Sequence, residues 1–429
     1  MTYSTAIKFL YGLQVFGARP GLESTFELAA LAGNPQEQLR FIHVAGTNGK
    51  GSTCAMLESI YRVAGLRVGL YTSPHLVSFR ERIQVNRQLI PEADVGRLVD
   101  ELRGLPRQGI ATLFEFTTVV ALKFFAEQKC DLVIWETGLG GRLDATNIVT
   151  PLASVITNIA LDHQQWLGDT LEKIAAEKGG IIKPGIPVVT AVEEPSALAV
   201  IEQIAHERHA PLTKVGRGER RRVTGSRLNE TGLIQNVSLA GEHQKWNAAL
   251  AVATVDVLQR QIPAADEAIR AGLAGVNWPG RLQLIQRANG QKILLDGAHN
   301  LAGVEVLRAA LEKFFPAKKR TLIMGILQDK DWRLICRQMA PLAGKIIAVP
   351  VASERTASPT DLAAECRATH PAAEVMTGGS LKEGLQRSAD NDFIVITGSL
   401  YLVGEALELL GLSPATPGER VLNEWSAKP

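Results

Sequence analysis

Gly46-Thr47-Asn48-Gly49-Lys50-Gly51-Ser52-Thr53 is the stretch from which the rest of this chain can be read. The β-prone run Phe41–Ala45 precedes it, and a helical pattern follows over Ser52–Ala64, with Met56, Leu57, Ile60 and Tyr61 at helical spacing. Glycines between a strand and a helix let several backbone N–H groups converge on an anion, and the helix adds the positive end of its dipole. Lys50 then supplies a point charge for the outer phosphates of a nucleotide, while Ser52 or Thr53 caps the helix and reaches a magnesium ion. The spacing departs from G-x-x-x-x-G-K-[ST]: the first glycine would fall on Val44, and Gly51 separates Lys50 from Ser52. A merely solvated glycine turn does not account for the strand–loop–helix setting. The stretch therefore reads as an ATP loop contributed by Asn48, Gly49, Lys50, Gly51 and Ser52.

Outward from the loop, short β-branched runs alternate with longer helical patterns, the mark of βαβ units and a mainly parallel sheet. Strands are expected at Val68–Tyr71, Asp131–Glu136, Ser154–Thr157 and Val188–Thr190, with helices over Phe116–Glu127 and Thr170–Lys178. From Leu212 to Leu239 charged and β-prone residues alternate, and antiparallel edge strands are expected there. Helices return over Trp246–Gln259 and Ala264–Leu273, and Val276-Asn277-Trp278-Pro279-Gly280 breaks the pattern. A second alternation follows, with strands at Lys292–Leu295, Thr321–Gly325, Ile346–Val349 and Phe393–Thr397. The fold class is thus α/β. A mainly parallel-sheet P-loop ATPase domain spans 1–277, and a smaller Rossmann-like α/β domain spans 281–429, with a loosely held tail from Ser413.

The charge balance of 46 basic against 44 acidic residues disfavours a nucleic-acid-coating role. No apolar run reaches the roughly 18 residues of a membrane span, and Lys8–Leu13 reads as an amphipathic first helix rather than a leader. Cys54, Cys130, Cys336 and Cys366 stand far apart, so neither a disulfide framework nor a cysteine zinc site is supported. A cytoplasmic protein with small-molecule partners, no nucleic acid and no membrane is expected.

Three further segments end strands with oxygen or imidazole donors: Thr72-Ser73-Pro74-His75, Glu136 and Asp162-His163. In an open parallel sheet ligands gather beyond the carboxyl ends of strands, so these can converge on the loop. A carboxylate, a hydroxyl, waters and phosphates suit Mg²⁺. Each residue taken singly is more often a solvated acid, a turn residue or a packed loop histidine; after an ATP loop the balance reverses. Gly138-Leu139-Gly140-Gly141-Arg142-Leu143 fails as a dinucleotide fingerprint, because the third glycine of G-x-G-x-x-G would fall on Leu143.

These blocks, together with Glu136–Asn147, Asp296-Gly297-Ala298-His299-Asn300 and Thr397-Gly398-Ser399-Leu400-Tyr401, resemble folylpolyglutamate synthase/dihydrofolate synthase of the Mur ligase superfamily, in order from about residue 1 to 410. The resemblance implies an ATP-dependent amide ligase of folate biosynthesis, in which a folate carboxylate becomes an acyl phosphate and the amine of L-glutamate attacks it. It implies ATP and two Mg²⁺ ions, with Ser73, Glu136 and His163 as metal ligands and Lys178, carbamylated, as another. It places Asn247, Arg281 and Asp296 on the nucleotide, and His299 and Ser399 with glutamate or the chemistry. Ala18, Arg19, Pro20, Thr112, Leu113, Phe114, Glu115, Leu143, Asp144 and Ala145 fall at the folate, where Phe114 stacks on the pterin and Phe116 is better read as core. Gly179 stands where the family usually has alanine, and Leu301 where it usually has proline. The Gly140–Ala145 form resembles bifunctional bacterial members. An extension-only synthase remains open, as do a peptidoglycan-precursor ligase, which would need a nucleotide-binding domain in the about 40 residues before the loop, and a P-loop switch with no glutamate product. A monomer is expected.

Overall fold

Two sheets carry the molecule, and the computed structural model describes residues 1–14, 21–106, 109, 111–216, 234, 236–316, 320–413 and 419. Among these, the first sheet holds β1 (Phe41–Ala45), β2 (Val68–Tyr71), β3 (Ile83–Val85), β4 (Gln88–Leu89), β5 (Leu132–Glu136), β6 (Ala153–Ile156), β7 (Val188–Thr190) and β8 (Leu212–Lys214), in the order β4-β3-β2-β5-β1-β6-β7-β8. The second holds β9 (Gln283–Gln286), β10 (Lys292–Leu295), β11 (Thr321–Met324), β12 (Lys345–Ala348), β13 (Glu374–Thr377) and β14 (Phe393–Thr397), ordered β13-β12-β11-β14-β10-β9. Pairing is parallel except where β3 meets β2 and β4, and where β9 meets β10.

Burial of both sheet faces makes the central strands apolar runs whose side chains alternate between layers. Phe41, Val133 and Trp135 enter one layer with the helices Tyr3–Leu13, Glu92–Arg103 and Leu113–Glu127. Ile42, Val44, Leu132 and Ile134 enter the other, under Lys50–Val63, Glu242–Leu258 and Asp266–Ala274. Phe116 is fully buried in the first layer, as expected of a core residue.

Two expectations need correction. Leu212–Lys214 pairs parallel with β7, not antiparallel, because the helix Pro195–Glu207 carries the chain back across the sheet before β8. The antiparallel edge lies on the opposite side, where Asn86 and Arg87, both at positive φ, turn β3 into β4. Most of the remainder of that segment, 217–233 and 235, lies outside the described residues. The expectation of a loosely held tail also fails at Glu419, which is 3% exposed; 414–418 and 420–429 are not described. No helix among the described residues is long and apolar enough to cross a membrane.

From β1 the chain crosses to β2, beyond the place later filled by β5, and subsequently adds β6 on the other flank of β1. The connections diverge at β1, and the crevice above its carboxyl end is where such sheets bind ligands.

Candidate active site

The loop after β1 is tied down by its neighbour β6. Thr47 N donates to Asn158 O at 2.9 Å and Asn48 N to Asn158 Oδ1 at 2.7 Å, while Thr157 Oγ1 donates to Asn48 O at 2.6 Å. Gly46 holds φ +150° against the Thr157 side chain, so a Cβ there would run into the Thr157 hydroxyl. Gly49, at φ +84°, is the residue before the helix, which begins at Lys50 with no side-chain cap. The expected capping by Ser52 or Thr53 is therefore wrong: both already lie inside the helix. Ser52 Oγ accepts instead from Gln244 Nε2 at 3.3 Å.

Two lysine amines share one carbonyl. Lys50 Nζ donates to Gly46 O at 3.0 Å and to Thr47 O at 3.3 Å, and Lys178 Nζ reaches the same Gly46 O at 3.0 Å from the last turn of Leu171–Gly179. Burial, with Lys50 beside it, pulls Lys178 down to about 7. At the end of β5, Glu136 is pushed up to about 7 by burial, against the pull of Lys50 and of the Ser73 N–H, which donates to its Oε2 at 3.1 Å. His163 stands in the left-handed region at φ 51°, and burial brings its ring down to about 3.

Among the described residues no three His, Cys, Asp or Glu side chains cluster as metal ligands. Glu136 meets Ser73 here through the Ser73 N–H, and the His163 imidazole lines the same cleft. A buried carboxylate raised to about 7 among cations set apart from it is a group that a hard cation would stabilise. These residues fit Mg²⁺, which keeps several waters and takes few protein ligands.

The second sheet supplies the facing wall. Arg281 is half-buried, and loss of solvent lowers its pKa, with Asp296 and then Glu136 opposing the shift. Asp296 accepts Leu282 N at 2.9 Å and Ala298 N at 3.0 Å, so its carboxylate shapes the turn that follows β10. His299 donates from Nδ1 to Gly297 O at 2.7 Å, which leaves Nε2 toward Asp162, 3.8 Å away. Ser399 caps Leu400–Leu409 by accepting Tyr401 N at 3.1 Å. Asn247 packs beside Gly49 and donates to Gln244 Oε1 at 2.9 Å.

Sequence reasoning missed the seam between the walls. Asp162 Oδ1 receives Lys330 Nζ at 2.6 Å, and its Oδ2 receives Asn300 Nδ2 at 2.9 Å. Asn300 and Asn48 exchange side-chain amide hydrogen bonds at 3.0 and 3.2 Å. Burial raises the Asp162 pKa, but Lys330, His163 and His299 together pull it well below the ordinary range. Lys330 lies 168 positions from its partner, and no local pattern marks it.

At the far end, Thr112 and Glu115 form a capping box that starts Leu113–Glu127, so both side chains are committed to the helix terminus. Phe114 packs on Gly138 and lies 6.2 Å, ring to ring, from Tyr71. Asp144 accepts Leu139 N at 2.8 Å and Thr146 N at 3.0 Å and so closes its own loop, with Leu143 and Ala145 beside it on the cleft wall. Ala18, Arg19 and Pro20 lie outside the described residues. All the other expected site residues line one cleft of about 740 Å³ between the sheets.

Comparison with known proteins finds one family along the chain. Residues 44–255 match the Mur ligase middle domain, and 280–400 the Mur ligase glutamate ligase domain. The dihydrofolate synthase/folylpolyglutamate synthase of Bacillus subtilis is 37% identical over 94% of this chain and 98% of its own. The folylpolyglutamate synthase of Lacticaseibacillus casei is 35% identical over 96% and 99%. Among solved structures, E. coli FolC in complex with DHPP and ADP superposes with a TM-score of 0.85 at 29% identity, covering 96% of this chain and 98% of that one. A folylpolyglutamate synthase–AMPPCP complex gives 0.80 at 31%, covering 96% and 100%.

Proposed function

Since the chain belongs to the Mur ligase family, in its dihydrofolate synthase/folylpolyglutamate synthase branch, we propose that it joins L-glutamate to dihydropteroate and to the γ-carboxyl of the glutamate tail of reduced folates. It is an ATP-dependent ligase that forms amide bonds. The observation that carries the ligase reading is the meeting, in one cleft, of the phosphate loop with Arg281, His299 and Ser399 from the opposite wall, and the likeness to the folate enzymes supports the acceptor.

The acceptor carboxylate takes the γ-phosphoryl group to give an acyl phosphate. The glutamate amine then adds to the carbonyl carbon, the C–N bond forms, and phosphate leaves with the C–O bonding electrons while the amine loses its proton. In our reading the loop N–H groups and Lys50 hold the phosphates, and Arg281 clamps them from the other wall with two N–H donors in a fixed fork. Asn247 and Asp296 take the nucleoside, Phe114 with the Leu143–Ala145 wall takes the pterin end, and His299 and Ser399 orient the incoming glutamate. Ser73, Glu136 and His163 would hold Mg²⁺, which when bound supplies positive charge to the transferring phosphoryl group. Apposition of the two walls excludes water from the acyl phosphate.

Lys178 is our candidate for carbamylation: its amine is buried, and it is partly neutral near pH 7. As a carbamate it would be an anion able to hold a second Mg²⁺. We further propose the division into 1–277 and 281–429, a monomer, and a cytoplasmic location.

Phosphate release with MgATP and L-glutamate, compared for dihydropteroate, tetrahydrofolate and no acceptor with products checked by mass, tests the assignment. Activity on both acceptors is the expected result. Activity on tetrahydrofolate alone makes the enzyme extension-only, and phosphate release without a glutamate adduct overturns the ligase reading.

Gly46→Ala forces a side chain onto left-handed backbone against Thr157. A strain of about 1–2 kcal/mol weakens ATP binding roughly tenfold, read as Kd by calorimetry. Unchanged affinity would mean that the loop tolerates another path.

A further inference from the structure

Glu419 stands outside the cleft, yet its side chain is built into the scaffold behind it. One carboxylate oxygen, Oε2, accepts three hydrogen bonds: from Tyr3 Oη at 2.9 Å, Ser78 Oγ at 2.9 Å and Phe79 N at 2.8 Å. Its backbone carbonyl lies 3.0 Å from His75 Nε2. Arg82 Nε, always a donor, gives its hydrogen to His75 Nδ1 at 2.8 Å. The His75 proton is thereby placed on Nε2, which donates to the Glu419 carbonyl.

The loop that donates these bonds is closed on itself. Glu81 accepts the N–H groups of Leu76, Val77 and Ser78 at 2.7, 3.0 and 2.8 Å, and Thr72 N donates to Arg82 O at 3.1 Å. One end of the loop presents Ser73, Pro74 and Arg82 to the cleft, where Ser73 N holds Glu136. The other end, Ser78–Phe79, is held by Glu419.

We infer that Glu419 is a positioning residue of the ligase: by fixing Ser78, Phe79 and His75 it holds the Thr72–Arg82 loop in the register that aims Ser73 and Arg82 at Glu136. The inference rests on the ligase reading of the cleft. An oxygen taking three donors without a charge is weaker but still an acceptor, so Glu419→Gln retains the anchor and Glu419→Ala removes it.

The test uses the full chain with MgATP, L-glutamate and a tetrahydrofolate acceptor, together with backbone hydrogen exchange and thermal unfolding. For Glu419→Ala, kcat is expected to fall about tenfold with KM for ATP and glutamate within about twofold, since misplacement of reacting groups acts on turnover. Exchange should quicken over residues 72–82 and not elsewhere, and Glu419→Gln should keep at least half of the wild-type kcat. Wild-type turnover in Glu419→Ala overturns the inference. So does a loss that comes with faster exchange throughout the molecule, or an equal loss in Glu419→Gln. Should Glu419→Ala not fold, the double variant Tyr3→Phe/Ser78→Ala removes two of the three donors and should show the same confined exchange and a smaller fall in kcat; its absence is equally decisive. Wild-type protein that makes no glutamate adduct sinks the ligase reading instead, while the exchange comparison still decides whether Glu419 anchors the loop.

Discussion

Lys178→Ala is expected to lower turnover by about three orders of magnitude, the scale of removing a group that acts on developing charge in a water-poor site. The side chain is 4% exposed and its amine lies 3.0 Å from Gly46 O, beside the Lys50 amine. Two cations crowded onto one carbonyl are a poor arrangement, and burial with Lys50 brings Lys178 down to about 7. An amine with that value is largely neutral above pH 7 and can add to CO₂: an N–C bond forms, one proton leaves to solvent, and a carbamate anion replaces a cation. Formation should therefore weaken as pH falls below about 7, where the amine protonates. Short carboxylates such as formate or acetate should restore part of the activity of Lys178→Ala, and isotope-labelled bicarbonate should mark the wild-type side chain. Full activity in the variant, or a total loss with no rescue, would remove the carbamate from the mechanism.

For Arg281→Ala we expect kcat to fall about 10²-fold or more with smaller changes in KM, as for a contact strengthened as phosphoryl charge develops. The side chain is half-buried, with Asp296 and Glu136 near enough to oppose the lowering of its pKa. Removing it leaves those carboxylates less compensated, so melting should accompany the kinetics. Arg281→Lys keeps the charge and loses the planar fork; it should hold the fold and recover little turnover. An unchanged steady-state rate in Arg281→Ala would take Arg281 out of the mechanism.

The phosphate loop and the strands around it were legible because their signals are local: glycines between two periodicities, and double-sided burial that makes β5 an unbroken apolar run up to its final Glu136. The β3–β4 hairpin was not, since Asn86-Arg87 makes its turn without glycine and Gln84 and Gln88 dilute the strand pattern. β9 and β13 were missed for a related reason: as edge strands they are half exposed, and Gln283, Gln286 and Glu374 read as loop. β8 was found but misoriented, because strand direction depends on the crossover helix before it. The cleft residues could be named from motifs, but the jobs their side chains hold in the fold could not. Thr112, Asp144, Asp296 and Ser399 turn out to cap or close turns, a role set by where neighbouring N–H groups point. Asp162 and Lys330 meet only in the folded chain.

That last meeting has a consequence for how the two walls move. Asn48, Asn300, Asp162 and Lys330 form a run of short directional bonds in which the middle members each serve two partners. A slip of an ångström would not lengthen one bond and spare the rest; it would forfeit several at once, at about 0.5–1.5 kcal/mol for each neutral bond and more for the charged ones. Half-apposed arrangements are therefore the costly ones. Bonds shared in this way favour a latch with two positions, engaged or released, over a spring with a continuum between them.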